Sequence, residues 1–125
     1  MCIRDRDGVW ECPGRFGPFE GRDALKGFFS SFGAIVHFCL HGHCNEEIEI
    51  DGDTANGRWS VIAALTYERD HGPEDTWSFL IYRARYVRTG GLWKFKRLEA
   101  TARAEGPNNI GWVDWLDLPA NQQGT

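Results

Sequence analysis

Three histidines and two cysteines lie within eight residues and form the densest group of reactive side chains in the sequence. The group occupies positions 37–44 and is His-Phe-Cys-Leu-His-Gly-His-Cys. Alternate side chains of an extended strand share a face. Four of these residues would therefore point the same way: His37, Cys39, His41 and His43. Imidazole and thiolate bind zinc, but residues two apart on one strand project in parallel about 6–7 Å apart. A tetrahedral site needs ligands that converge from several elements, so we predict no metal site and expect packing and polar lining for His37 and His43.

Hydrophobic spacing predicts the elements that carry these residues. A short strand at 8–12 is followed by a loop rich in Gly and Pro at 13–18. A helix is predicted at about 22–32, because four apolar residues form one stripe: Leu25, Phe28, Phe29 and Phe32. From position 34 the period changes to two, and turn residues separate four long strands at 34–50, 58–68, 77–89 and 92–102. We expect an α+β fold, a strongly curved antiparallel sheet of these four strands plus the short first strand, with the helix on one face.

Composition restricts the class of partner. The chain has 125 residues, the length of one domain, and a net charge of −4 without a basic stripe, which argues against nucleic acid. No apolar run approaches the roughly 20 residues of a membrane-spanning helix, and no leader for secretion is evident. The four cysteines include no Cys-x-x-Cys pair. We therefore expect reduced thiols, no membrane contact and a cytoplasmic location.

The two ends differ in character from the rest of the chain. Residues 1–6, Met-Cys-Ile-Arg-Asp-Arg, resemble a translated sequencing adapter, so we expect a non-native leader. Residues 7–125 would then be a single domain. Its Trp-rich C-terminal segment at 106–125 carries enough apolar residues that we expect it to dock on the body of the domain.

Several short motifs occur in a characteristic order. They are Asp-Gly-Val-Trp-Glu at 7–11, Phe-Glu-Gly-Arg-Asp-Ala at 19–24, Phe-Phe at 28–29, Ile-Glu-Ile-Asp-Gly-Asp-Thr-Ala-Asn-Gly at 48–57, Tyr-Val-Arg at 86–88 and Gly-Leu-Trp-Lys-Phe at 91–95. Together they resemble the SnoaL-like branch of the nuclear transport factor 2 (NTF2)-like superfamily. The resemblance implies a cone, in which a bent sheet wraps around helices and leaves a deep pocket at the wide end. Most chains of the family begin with two helices before the first strand, so the resemblance also implies N-terminal truncation.

The resemblance implies roles for residues on the hollow side of the cone. His41 matches a histidine that is catalytic in the family's dehydratases, and Tyr82 falls where those enzymes hold substrate with an asparagine. An imidazole can relay a proton in a dry pocket, and a phenol can donate a hydrogen bond; both residues could also be polar lining without a catalytic role. The dehydratases' second histidine would fall at about Leu65, so the two-histidine route is not expected. The predicted substrate-binding residues are Trp59, Val61, Leu65, Leu80, His37 and Cys39.

Three functions stay open for such a pocket, because fold alone does not fix function. One is a cofactor-independent lyase, isomerase or hydrolase that uses His41 and Tyr82 for acid–base catalysis on a polyketide- or aromatic-like substrate. The others are a non-catalytic ligand-binding or dimerisation module and the small subunit of a ring-hydroxylating oxygenase. We expect a small apolar or aromatic ligand and no cofactor. In this family the convex face of the sheet commonly meets a second subunit, which implies a homodimer through Phe79, Ile81, Arg83 and Arg85; a solvated surface is the alternative.

Overall fold

Residues 4–108 are described by a computed structural model, in which one α-helix covers part of a six-stranded sheet. The elements are β1 (Arg4–Cys12), β2 (Phe16–Glu20), α1 (Gly21–Phe32), β3 (Val36–Asp51), β4 (Thr54–Arg69), β5 (Gly72–Thr89) and β6 (Leu92–Pro107). The α+β class and the helix are confirmed. Within these residues, no helix has the length and apolar character needed to cross a membrane. The predicted docking of the C-terminal segment concerns residues 109–125, which lie outside the described residues.

The strand order is β2-β1-β6-β5-β4-β3, and it corrects the predicted sheet in two respects. The sheet is mixed, because β1 pairs in parallel with β6 while the other neighbours are antiparallel. The predicted loop at 13–18 contains the start of a sixth strand, β2. Its Phe16 and Phe19 pack against the core, and its position at the sheet edge tolerates Pro18, which has no N–H to donate.

The long strands extend further than predicted. β4 begins at Thr54 and β6 continues to Pro107, and β5 begins at Gly72, inside a segment predicted to be a turn. Gly90 and Gly91 form the predicted turn between β5 and β6, with φ of 59° and 77°, as a two-residue hairpin with a positive φ at both positions requires. Arg4 to Arg6 begin β1, and the Asp5 carboxylate accepts a hydrogen bond from Lys96 at 3.2 Å. The non-native origin of residues 1–6 stays a prediction.

The core lies on the face of the sheet that we call the concave face, which is the side covered by α1. Aromatic rings join the helix to the first two strands: Phe28 stacks on Trp10 and Phe19 with ring centroids 5.0 and 4.4 Å apart. The central strand β4 contributes alternate buried residues to the same core, as a period of two requires: Trp59, Val61, Ala63, Leu65 and Tyr67. The opposite side of the sheet is the convex face.

Bulges exchange the faces part-way along β3 and β6, and two of them bear on the cavity and the groove. In β3 the pairing shifts between Cys44 and Glu47, where Asn45 has a positive φ of 56°. In β6, Ala102 pairs with Leu80 and Ala104 with Phe79, so Arg103 is the extra residue. Because one extra residue moves every later side chain to the other face, residues before and after a bulge follow opposite alternation.

Candidate ligand cavity

A cavity of about 190 Å³ lies between α1 and the concave face of the sheet. Aromatic rings form one wall: Trp10, Phe16, Phe28, Phe29 and Phe32. Apolar side chains of the sheet form the other: Leu65, Leu80, Leu98 and Ala100. The polar lining consists of Arg4, Cys12, Arg15, His41, Tyr67, Ser78 and Tyr82. An apolar cavity of roughly 150 Å³ holds benzene, so this cavity has the size for a ligand of one ring.

His41 reaches the cavity from the edge strand β3. Its Nδ1 lies 3.2 Å from the Sγ of Cys39, two residues earlier on the same strand. Its ring centroid lies 6.4 Å from that of His43. His41 is exposed as a whole on this edge strand. Partial desolvation of its imidazole, and secondly the nearby His43, lower the pKa of His41 below 6.5. His41 is therefore neutral at neutral pH and can accept a proton.

Tyr82 enters the cavity from β5, beside the indole of Trp59 at a centroid distance of 5.7 Å. Burial raises the pKa of Tyr82 to about 12. The phenol consequently keeps its proton at physiological pH, so that it can donate a hydrogen bond but cannot act as a base. The cavity thus contains a neutral base and a neutral donor.

A row of residues in direct register crosses four strands of the concave face. It runs His41, Ala63, Ser78 and Glu105. Oε2 of Glu105 accepts two hydrogen bonds, from Ser78 Oγ at 2.6 Å and from Arg15 Nη1 at 2.5 Å. Burial opposes the ionisation of Glu105, but the hydrogen bonds from Arg15 and Ser78 outweigh it and hold the pKa of Glu105 below its ordinary value. The row therefore ends in an ionised, anchored carboxylate.

The predicted site residues fall into three groups. The cavity lining brings together His41, Tyr82, Leu65 and Leu80. Trp59 and Val61 lie in the core beside it, and the indole N–H of Trp59 is buried without a hydrogen-bond partner among the described residues. Cys39 contacts His41.

His37 lies at the irregular pairing between Val36 and Phe38, where its Nε2 is 3.3 Å from a carboxylate oxygen of Glu68. His37 is not part of the cavity lining, and its assignment to substrate binding stays a prediction. Over residues 4–108, no group of three or more His, Cys, Asp or Glu is arranged to hold a metal ion.

Arg15 and Glu105 were not predicted from the sequence as site residues. Arg15 falls in the predicted loop, where nothing in the sequence indicates that its side chain reaches β6. Alternate residues of β6 face the concave side: Leu98, Ala100 and Ala102. Continued alternation would turn Glu105 outward, but the extra residue Arg103 in the bulge turns it inward. The charged segment Arg103-Ala104-Glu105 follows the small residues of β6, and this change in character is the one signal that could have indicated a bulge.

The convex face carries a larger, more open groove of about 450 Å³. Seven charged side chains line it: Glu47, Glu49, Arg58, Arg83, Arg85, Arg97 and Glu99. Arg83 Nη1 lies 3.8 Å from Glu99 Oε1, and Arg97 forms an ion pair with Glu11. Of the residues predicted to contact a second subunit, Phe79, Arg83 and Arg85 are exposed and Ile81 is partly buried.

A single described helix on a curved six-stranded mixed sheet, enclosing a cavity with an imidazole and a phenol, has the architecture of an NTF2-like cone. The model of the SnoaL-like domain family matches residues 5–99, and the chain belongs to that family. No curated protein matches the chain.

Solved structures share the fold. One is a type 2 hexachlorocyclohexane dehydrochlorinase, LinA, with 24% identity over 85% of this chain and 71% of that chain and a TM-score of 0.75. A protein from Novosphingobium aromaticivorans DSM 12444, provisionally assigned as a scytalone dehydratase, has 25% identity over 87% of this chain and 72% of that chain and a TM-score of 0.72. A provisionally assigned aromatic ring hydroxylase from Novosphingobium aromaticivorans has 22% identity over 85% and 74% of the two chains and a TM-score of 0.74.

Proposed function

We propose that the chain is a small-molecule enzyme that transfers a proton on a single-ring, apolar or aromatic substrate, as a cofactor-independent lyase, isomerase or hydrolase. The observation that carries the proposal is the pair of matched groups in one cavity. His41 has a pKa lowered by burial, and Tyr82 has a pKa raised to about 12. Environments that move two pKa values apart assign a base and an acid or donor.

The proposed chemistry begins at His41. If Nδ1 carries the proton and donates it toward the thiol of Cys39, Nε2 is left with its lone pair as the basic nitrogen. Cys39 would then be a positioning residue that holds the ring. His41 removes a proton from a ring carbon while Tyr82 donates a hydrogen bond to the carbonyl oxygen, hydroxyl or leaving group that gains negative charge. Two of the similar structures are named for eliminations, a dehydrochlorinase and a provisional dehydratase, which supports this class of reaction.

A generic proton-transfer substrate tests the proposal without knowledge of the natural one. 5-Nitrobenzisoxazole opens when a base removes its ring proton, and the product is followed by absorbance. General base catalysis contributes about 10²- to 10⁴-fold, so His41→Gln should lower kcat/KM at least about 100-fold. The matched control is His71→Gln, in the exposed turn before β5, which should leave the rate unchanged. Equal rates for wild type and His41→Gln would refute the catalytic role.

A non-catalytic binding module is the second candidate. One observation favours it: none of the cavity-lining residues in the described part of the chain is a carboxylate, so His41 has no acidic partner there. Such a module would raise its melting temperature with a ring-shaped ligand and give no His41-dependent proton transfer. An oxygenase small subunit should instead co-purify with a larger, iron-bearing chain.

We further propose a homodimer through the convex face, in the cytoplasm. The groove there places arginines in the middle of the sheet and Glu47 and Glu49 on β3. A two-fold arrangement would bring the arginines of one copy to the glutamates of the other, because a two-fold interface is self-complementary.

Sedimentation velocity tests the dimer. Arg85→Glu and Glu49→Arg should each weaken self-association, and the double exchange should restore it. Lys26→Glu, on the exposed side of α1, is the control for an equal change of charge. A dimer insensitive to both single variants would place the interface elsewhere, and a monomer at every concentration would refute the dimer.

A further inference from the structure

The cavity has an imidazole on one side and a guanidinium on the other. His41 and Arg15 both line it, and they approach from opposite edges of the sheet, from β3 and from the turn between β1 and β2. We propose that the cavity selects a ring that carries one anionic oxygen group, such as a carboxylate, and that Arg15 binds this group. The inference rests on the proposed function of the cavity as a small-molecule site, and it adds the substrate class.

Arg15 is held in place and still has donors to offer. Its backbone N–H closes a turn on the carbonyl oxygen of Cys12 at 2.9 Å, and its Nη1 is bound to Glu105. A guanidinium has five N–H donors, and within residues 4–108 the hydrogen bond to Glu105 is the one that its side chain makes. Nε and Nη2 are therefore available to a ligand. Because Glu105 fixes one edge of the guanidinium, binding an anion costs less rotamer freedom than a mobile arginine would lose.

The charges around the cavity favour an anion over a cation. The charged lining residues that the structure describes are arginines, and Glu105 is not among the lining residues. Both known donors to Glu105 reach the same oxygen, Oε2, so the carboxylate is already engaged on the side of Ser78 and Arg15. Arg4 also lines the cavity, but it belongs to the segment predicted to be a non-native leader, so the proposed anion site does not include it.

The spacing allows one ring to contact both sides of the site. His41 and Ser78 both line the cavity, and a single strand separates them, on which Ala63 contributes only a methyl group. Neighbouring strands are about 4.8 Å apart, so roughly 10 Å separates the two backbones. A ring with its anionic group toward Ser78 and Arg15 would place its other edge toward His41, the proposed base.

Three probes of nearly equal shape test the inference: benzoate, benzamide and benzamidine, with charges of −1, 0 and +1. Their affinities for the full chain are measured by titration calorimetry at pH 7.5 and low salt. A hydrogen bond to a charged group contributes about 1.5–3 kcal/mol, so benzoate should bind roughly tenfold or more tightly than benzamide, and benzamidine should bind most weakly. Equal binding of all three would overturn the anion inference and leave the small-molecule cavity standing. No binding of any probe would overturn both.

Variants at the two ends of the ion pair should change selectivity in opposite directions. Arg15→Gln should remove the preference for benzoate over benzamide, whereas Glu105→Gln should increase it, because the competing carboxylate becomes neutral while Arg15 keeps its charge. A purely structural role would lower binding of both probes in both variants. The matched controls are Arg88→Gln and Asp53→Asn. They break an exposed ion pair of 2.7 Å between Nη2 of Arg88 on β5 and Oδ1 of Asp53 in the turn between β3 and β4. A change of the benzoate-to-benzamide ratio in the controls, or the same direction in Arg15→Gln and Glu105→Gln, would contradict the assignment.

Discussion

The two faces of the sheet are made from alternate residues of the same strands, yet the polar groups on them have different surroundings. On the concave face, desolvation lowers the pKa of His41 and raises that of Tyr82, and the one carboxylate of the row is fixed by two hydrogen bonds. On the convex face, the groove lined by Arg83 and Glu99 carries many charges, and these remain in contact with water. Adjacent positions of a single strand can therefore supply a partly desolvated chemical site on one face and a charged, water-exposed surface on the other.

The largest expected difference between the faces is in the cost of removing an apolar side chain. Leu65 on β4 is 5% exposed and lines the cavity, whereas Leu40 on β3 is 63% exposed. Leu65→Ala should lower the free energy of unfolding by about 2–5 kcal/mol, and Leu40→Ala should change it by about 0.5 kcal/mol or less. Urea denaturation at low protein concentration measures both. Equal losses would mean that the convex face is as well covered as the core.

The second expected difference concerns hydrogen bonds from a hydroxyl to a carboxylate, compared at one pair on each face. Ser78 is 1% exposed and donates to Glu105 at 2.6 Å, and Thr101 donates to Glu99 at 3.0 Å on the convex side. Ser78→Ala should cost about 1.5–3 kcal/mol, because a hydrogen bond from a buried hydroxyl to a charged acceptor is lost. Thr101→Val should cost less than about 1 kcal/mol, because water can replace the hydroxyl. Thermal unfolding of the two variants measures both costs. Similar costs would mean that Ser78 is as accessible to water as Thr101.

The elements of the concave face that could be predicted from the sequence are those fixed by the local spacing of apolar residues. The helix at 22–32 was evident because its apolar stripe has a helical period, and the structure places α1 at Gly21–Phe32. The inward set of β4, including Trp59, Val61 and Leu65, followed from a period of two. His41 and Tyr82 both line one cavity, and their roles stay predictions.

The parts that escaped prediction depend on tertiary pairing rather than on local pattern. The parallel pairing of β1 with β6 joins segments about 90 positions apart, and no periodicity within either segment encodes it. β2 contains Gly and Pro, which usually end a strand, but an edge position tolerates them. The bulges at Asn45 and Arg103 reverse the alternation, so the face of Glu105 could not be assigned by counting.

The pH dependence of stability should distinguish the cavity-lining His41 from His71 in the turn before β5. The folded pKa of His41 lies below 6.5, the ordinary value that applies to the unfolded chain. Between these two values the unfolded chain binds more protons, so stability is complete above pH 6.5 and falls as the pH drops through 6.5 toward the folded pKa. His41→Gln should flatten this decline in urea midpoints measured from pH 7.5 to 5, and His71→Gln should not flatten it. If His41→Gln keeps the wild-type slope, the imidazole of His41 is solvated in the folded wild-type protein.

The smallest expected effect belongs to the ion pair on the convex face. Arg83 and Glu99 are 3.8 Å apart with 56% and 34% of their side chains exposed, and exposed pairs contribute about 0.2–1 kcal/mol. A double-mutant cycle with Arg83→Gln and Glu99→Gln should give a coupling free energy in this range that decreases with added salt, because water and ions screen the pair. The cycle is measured at a protein concentration where the chain is monomeric, since a second copy would add its own charges. A coupling above about 2 kcal/mol that salt does not reduce would mean that this face shields the ion pair from water, and the contrast between the two faces would then be lost.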